Sequence, residues 1–114
     1  MPQVFLSLGS NIDRKNNICK ALDELYLAFN RLSLSSVYKT QAEGFIGEDF
    51  YNLVVGIDTD LDLLDIVDLL KQIEKKQGRD HTQKGFSSRV IDIDLLTYGD
   101  FVGEKGGVVL PRSE

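Results

Sequence analysis

Several classes of protein are excluded by what this chain of 114 residues has little of. Its one cysteine, Cys19, cannot close an internal disulfide, which suits a reducing compartment and leads to the expectation of a cytoplasmic protein. Cys19 falls inside a helical pattern, where a partly buried structural thiol is expected rather than a reactive one. No apolar run approaches the ~20 residues of a membrane span. The first residues, Met-Pro-Gln-Val-Phe-Leu, lack a basic n-region and have the pattern of a strand rather than a signal peptide. The one histidine, His81, gives no basis for a structural metal centre. A net charge of −5 argues against a broad nucleic-acid surface. There is no internal repeat and no low-complexity tract.

What remains is a chain that suits one compact domain, with apolar and charged fractions of 42% and 27%. Its charge is unevenly spread. Residues 40–70 hold eight acidic side chains and no Lys or Arg, whereas residues 71–89 hold six basic ones: Lys71, Lys75, Lys76, Arg79, Lys84 and Arg89. A solvated helix face running into a loop accounts for this run, and so does a local anion site on an acidic protein.

Patterning predicts a short strand at Val4–Leu8, ended by a Gly9-Ser10-Asn11 turn and helix cap. Ile18, Ala21, Leu22, Leu25, Ala28 and Phe29 form one apolar stripe of a first helix, with Asn11 or Asp13 as its cap. A second strand is expected at Leu32–Tyr38, a polar glycine-containing loop over residues 40–49, and a third, central strand at Phe50–Asp58. Asp62, with Asp65 three residues on, resembles a capping box opening a second helix. That helix buries Ile66, Val67, Leu70 and Ile73, and it ends with Lys75, Lys76 and a C′ Gly78. A polar loop, Arg79–Ser88, leads to a fourth strand at Val90–Tyr98, and Val108–Leu110 forms a short edge strand. The order βαββαβ predicts a ferredoxin-like α+β sandwich with two helices on a mostly antiparallel sheet.

The fourth strand carries the strongest signal. Ile91, Ile93 and Leu95 share one face, and Asp92 and Asp94 share the other, roughly 7 Å apart between Cα atoms. Strands are poor in Asp. Two carboxylates side by side on an apolar-backed strand suit a hard cation held by oxygen ligands. With basic groups close by in sequence, they suit polyphosphate chemistry.

Three segments together resemble the 6-hydroxymethyl-7,8-dihydropterin pyrophosphokinase family. They are Leu8-Gly9-Ser10-Asn11; Tyr38-Lys39-Thr40 followed by Asp49-Phe50-Tyr51-Asn52; and Glu74-Lys75-Lys76-Gln77-Gly78-Arg79 followed by Phe86-Ser87-Ser88-Arg89-Val90-Ile91-Asp92-Ile93-Asp94. The last block is similar to the family signature of an Arg, two residues and Asp-x-Asp. The resemblance implies pyrophosphate transfer from ATP to the pterin alcohol. It also implies that Asp92 and Asp94 hold two Mg²⁺ ions, about 3.5–4 Å apart in two-metal sites of this kind. Arg89 and Arg79 would serve the polyphosphate, and Lys71, Glu74, His81 and Arg112 the nucleotide. Phe50 and Phe86 would line the pterin, Asn52 would bond its edge, and Thr40 would lie in the same pocket. Phe50 and Asn52, two residues apart on a strand, face the same way. Gly9-Ser10-Asn11 is taken as structural. The loops 40–49 and 79–88 are expected to be mobile and to close over substrates.

The family usually continues beyond the Leu-Pro of its last hairpin and usually has His after that Pro, where this chain has Arg112. A domain over residues 1–114 without the usual C-terminal portion is therefore expected. It would be monomeric if the chain is longer and able to self-associate through a sheet edge if it ends at residue 114. Two other readings stay open: a homologue that binds ATP or pterin without turnover, and a ferredoxin-like regulatory module whose Asp pair is merely solvated.

Overall fold

The computed structural model describes residues 1–41, 49–78 and 90–112. Strand β1 (Gln3–Ser10) lies at the centre of the main sheet, between β4 (Phe50–Asp58) and β5 (Asp92–Tyr98). Both pairings are antiparallel. Beyond β4 run two short strands, β2 (Ser33–Leu34) and β3 (Tyr38–Thr40), both antiparallel to it. A separate two-stranded hairpin, β6 (Gly103–Lys105) and β7 (Val108–Leu110), follows β5. With helices α1 (Arg14–Phe29) and α2 (Leu63–Lys76), the chain order and sheet order are those of the ferredoxin-like α+β fold.

The period of two in the strands sorts the side chains. Val4, Leu6 and Leu8 of β1, Leu53, Val55 and Ile57 of β4, and Ile93 and Leu95 of β5 are all buried in one core. Ile18, Ala21 and Leu25 of α1 and Leu63, Ile66, Leu70 and Ile73 of α2 join them. The register puts Ser7 opposite Val54 and Asp94, and Gly9 opposite Asn52 and Asp92, so these residues share the face turned away from the helices. A bulge between Phe5 and Leu6 of β1 and Leu95 and Thr97 of β5 lets Leu95 and the extra Leu96 both be buried.

Several local expectations change. Strand β1 does not stop at Leu8; Gly9 and Ser10 continue it, because β4 and β5 both pair with them or with Gly9. The expected strand Leu32–Tyr38 is broken in two. Ser35 exchanges its backbone and side chain with Val54, the amide donating to Val54 O and the hydroxyl oxygen accepting from Val54 N, so the ladder loses its regular phase there. Neither expected helix cap forms in the usual way. Asp13 is the N-cap of α1, in the left-handed region at φ 41°, but its carboxylate accepts from the side chain of Asn16 instead of a backbone amide. Asp62 caps α2 without a side-chain bond, while Asp65, Lys75 and Lys76 sit where the helix dipole favours them. Gly78 has the positive φ, 97°, of a C′ residue. Cys19 and Ala28 are exposed, because the buried stripe of α1 narrows to Ile18, Ala21 and Leu25.

Candidate functional site

The polar face of the sheet is built around Gly9. Any side chain there would meet Asn52 Oδ1 at 2.9 Å and the Phe50 ring at 3.8 Å. The absence of a Cβ thus leaves a notch between Asn52 on one neighbouring strand and Asp92 on the other. Asn52 Nδ2 donates to Thr40 Oγ1 at 2.8 Å, which fixes the amide. Phe50 is half-buried at the start of β4. The residue before it is anchored by Arg14, whose guanidinium donates to Asp49 O at 2.6 Å and stacks 3.9 Å from the centre of the Tyr51 ring. Thr40, Phe50 and Asn52 are therefore one cluster, with an aromatic wall and an oriented amide.

On the other side of Gly9, Asp92 and Asp94 project from β5, both half-buried. A cavity of about 590 Å³ wraps around the outer edge of this strand. Val67, Leu70, Lys71 and Glu74 of α2, Val108 of the hairpin, Arg112 and the two Asp residues line it. That volume suits a small-molecule site, and its mixed lining gives an apolar wall next to charged groups. Arg112 Nη1 pairs with Asp94 Oδ1 at 3.1 Å. The backbone of Arg112 also holds the edge, donating to Leu96 O at 2.8 Å. Glu74 is buried and accepts from the Ile93 amide at 2.8 Å.

Lys71, Glu74, Asp92, Asp94 and Arg112 are thus gathered around one cavity, and Thr40, Phe50 and Asn52 stand across Gly9 from Asp92. Arg79, His81, Phe86 and Arg89 lie outside the described residues, as do 42–48 and the whole of the second loop, 79–88. Gly9 was missed as a site residue: its phase with Phe5 and Ser7 on the non-core face was the available signal, and the turn-like Gly-Ser-Asn triplet hid it. Val67 and Val108 were missed as cavity walls, since Val67 also fits an ordinary core stripe.

The donor set fits a hard cation. Asp92 and Asp94 offer only oxygen, on one strand face. Among the described residues no group of three or more His, Cys, Asp or Glu stands together as a metal site. Carboxylate oxygens are the kind of ligand that a hard cation takes.

Fold and site together define an α+β domain with a cavity at one sheet edge whose lining includes two neighbouring carboxylates. The profile of the family described as 7,8-dihydro-6-hydroxymethylpterin-pyrophosphokinase (HPPK) matches residues 5–114, and the chain belongs to that family. It is 38% identical over 104 residues to the 2-amino-4-hydroxy-6-hydroxymethyldihydropteridine pyrophosphokinase of Aquifex aeolicus, covering 90% of this chain and 64% of that protein. The protein of the same name from Porphyromonas gingivalis is 38% identical over 103 residues, 86% of this chain and 70% of its own. That from Haemophilus influenzae is 29% identical over 117 residues, 98% and 72% respectively. Among the described residues no helix is long and apolar enough to cross a membrane.

Proposed function

We propose that this protein transfers the pyrophosphoryl group of ATP to the hydroxymethyl oxygen of 6-hydroxymethyl-7,8-dihydropterin, giving AMP and the pterin diphosphate. The observation that carries this reading is the continuity of the polar sheet face. A cavity of about 590 Å³ is lined by Asp92 and Asp94, and Asp92 is one strand away from Gly9 and two from Asn52, which Thr40 orients. Family membership supports it independently.

In this reading ATP lies around the edge of β5. Its base packs on the apolar wall of Val67, Leu70 and Val108, and its phosphates reach toward Lys71, Arg112 and the two carboxylates. Two Mg²⁺ ions held by Asp92 and Asp94 would neutralise charge on the attacking and leaving oxygens. Asn52, oriented by Thr40, pairs with the pterin edge, and Phe50 packs against the ring, so the alcohol faces the β-phosphorus across Gly9. The alcohol oxygen forms a bond to that phosphorus as the bridge to the α-phosphate breaks. AMP keeps the bridging oxygen, and the alcohol proton passes to water. The protein forms no covalent intermediate, and its contribution is alignment and charge stabilisation. Arg79 and Arg89 belong to the proposed polyphosphate site, His81 to the nucleotide site and Phe86 to the pterin slot, on the strength of the sequence motif. A cytoplasmic setting belongs to the proposal as well, supported by the free Cys19.

AMP release from ATP, with and without the pterin alcohol, tests the proposal. Pterin-dependent AMP should form and should be lost in Asp92→Ala and Asp94→Ala. Turnover unaffected by either substitution would overturn it. ATP affinity indifferent to Mg²⁺ would point to the regulatory-module reading instead.

A further inference from the structure

We propose that Glu74 is a positioning residue: its carboxylate takes the place of a sheet neighbour on the outer edge of β5 and fixes the backbone between Asp92 and Asp94. The inference rests on the pyrophosphoryl-transfer reading of this site and gives Glu74 a role other than contact with the nucleotide.

The register defines the need. Among the described residues β5 pairs with β1 on one side only, Asp92 with Gly9, Ile93 with Leu8 and Asp94 with Ser7. Along an antiparallel strand, alternate residues direct both backbone groups to opposite edges. Ile93 turns its N–H outward, where it donates to Glu74 Oε2 at 2.8 Å, so Asp92 and Asp94 direct theirs inward to β1. Farther along the same edge, Leu96 O accepts from the backbone of Arg112 at 2.8 Å. Among the described residues the edge is thus held at two points around the acidic pair, and the one nearest the pair is a side chain.

The choice of residue is informative. Leu63, Ile66, Leu70 and Ile73 are the other buried residues of α2, and all are apolar. Glu74 is only 4% exposed. Burying a carboxylate so deeply is unfavourable unless donors meet it. A water molecule could equally have satisfied the Ile93 amide, but it would not tie the strand to a helix. Glu74 joins β5 to α2 through a charge-assisted bond, so the acidic pair is referenced to the packed core rather than to solvent. Metal and phosphate chemistry is sensitive to such placement, because a shift of about 1 Å in a reacting group can reduce turnover by two orders of magnitude.

Two substitutions separate the acceptor from its charge. Glu74→Gln keeps an oxygen that can accept from Ile93 N–H; Glu74→Leu removes it but matches the apolar neighbours and helix propensity of α2. Three quantities are measured for both: amide exchange of Ile93 by NMR, Mn²⁺ affinity in the presence of a non-hydrolysable ATP analogue, and kcat and KM. In Glu74→Leu, exchange of Ile93 should speed up by about tenfold or more as the edge opens. Mn²⁺ affinity should weaken, and kcat should fall by about ten- to a hundredfold with KM for the pterin little changed. Glu74→Gln should restore all three to within a few-fold of the unaltered protein. The proposal is overturned if Glu74→Gln is as impaired as Glu74→Leu, because the charge itself would then be the requirement. It is also overturned if Glu74→Leu opens the Ile93 amide with Mn²⁺ affinity and kcat intact. Failure of the functional reading appears differently, as absence of pterin-dependent AMP formation in the unaltered protein; the exchange and Mn²⁺ measurements then still decide whether Glu74 orders the acidic pair.

Discussion

Asn52 and Asp92 stand two strands apart, each the direct cross-strand partner of Gly9, which itself carries no side chain. The amide that would read a pterin and the carboxylate that would hold a cation are thereby placed on one floor. A Cβ at position 9 would lie 2.9 Å from Asn52 Oδ1, so Gly9→Ala should displace the amide first. We expect KM for the pterin to rise by about tenfold, the equivalent of one lost hydrogen bond, with ATP affinity nearly unchanged. Steady-state kinetics with each substrate varied in turn would check this; equal losses for both substrates would contradict it.

Arg112 pairs with Asp94 at 3.1 Å. Both side chains are partly exposed, at 54% and 37%, so the pair contributes little to folding, about 0–1 kcal/mol. Its effect on ligands is larger in kind. The guanidinium competes with a metal ion for Asp94 while offering a phosphate a partner. Arg112→Ala should therefore tighten Mn²⁺ binding in the absence of nucleotide and weaken ATP binding, by a few-fold each. Calorimetric titration of the two ligands would show whether the effects run in opposite directions; a loss for both would mean that Arg112 is needed to shape the cavity.

The alternation Ile91, Asp92, Ile93, Asp94, Leu95 was enough to assign faces on β5, because every second residue enters the core and the core accepts no unpaired carboxylate. The helical stripes were legible for the same reason. What was not legible depended on partners distant in the chain. Gly9 has the local chemistry of a turn, and only its pairing with both β4 and β5 makes it part of the floor. Asp62 and Asp65 had the spacing of a cap, yet Asp62 makes no side-chain bond to the helix, since a favourable residue type does not determine its own rotamer. Ser35 breaks the edge strand by offering its side chain to Val54, a competition between side chain and ladder that alternation does not reveal. Glu74 was assigned to the nucleotide from the motif; its bond to Ile93 joins residues nineteen positions apart and emerges only from the packing of α2 on β5.

Stability should divide sharply between the core and the surface. Leu25 is fully buried between α1 and the sheet, and Leu25→Ala should destabilise the protein by about 2–5 kcal/mol. Lys76 and Glu24 form a 2.7 Å ion pair between the helices, but Lys76 is 68% exposed, and Lys76→Ala should change stability by no more than about 1 kcal/mol. Urea unfolding of both variants measures the difference. A Lys76 effect as large as that of Leu25 would show that the two helices are held together chiefly by charge.

Thr40 offers the most specific test of the pterin end. Its hydroxyl oxygen accepts from Asn52 Nδ2 at 2.8 Å, which turns Asn52 Oδ1 toward the Gly9 notch. Thr40→Val preserves the shape of the side chain and its β-branching but removes the acceptor, so the amide loses its reason to hold that orientation. Thr40→Ser retains the acceptor and loses only a methyl group. Loss of one neutral hydrogen bond of about 0.5–1.5 kcal/mol corresponds to a roughly two- to twelvefold weaker interaction with the pterin in Thr40→Val, and Thr40→Ser should stay close to the unaltered protein. Competition binding with a pterin, performed in the presence of a non-hydrolysable ATP analogue, distinguishes the two. Equal affinity in Thr40→Val and the unaltered protein would show that Asn52 is oriented by the ligand rather than by Thr40.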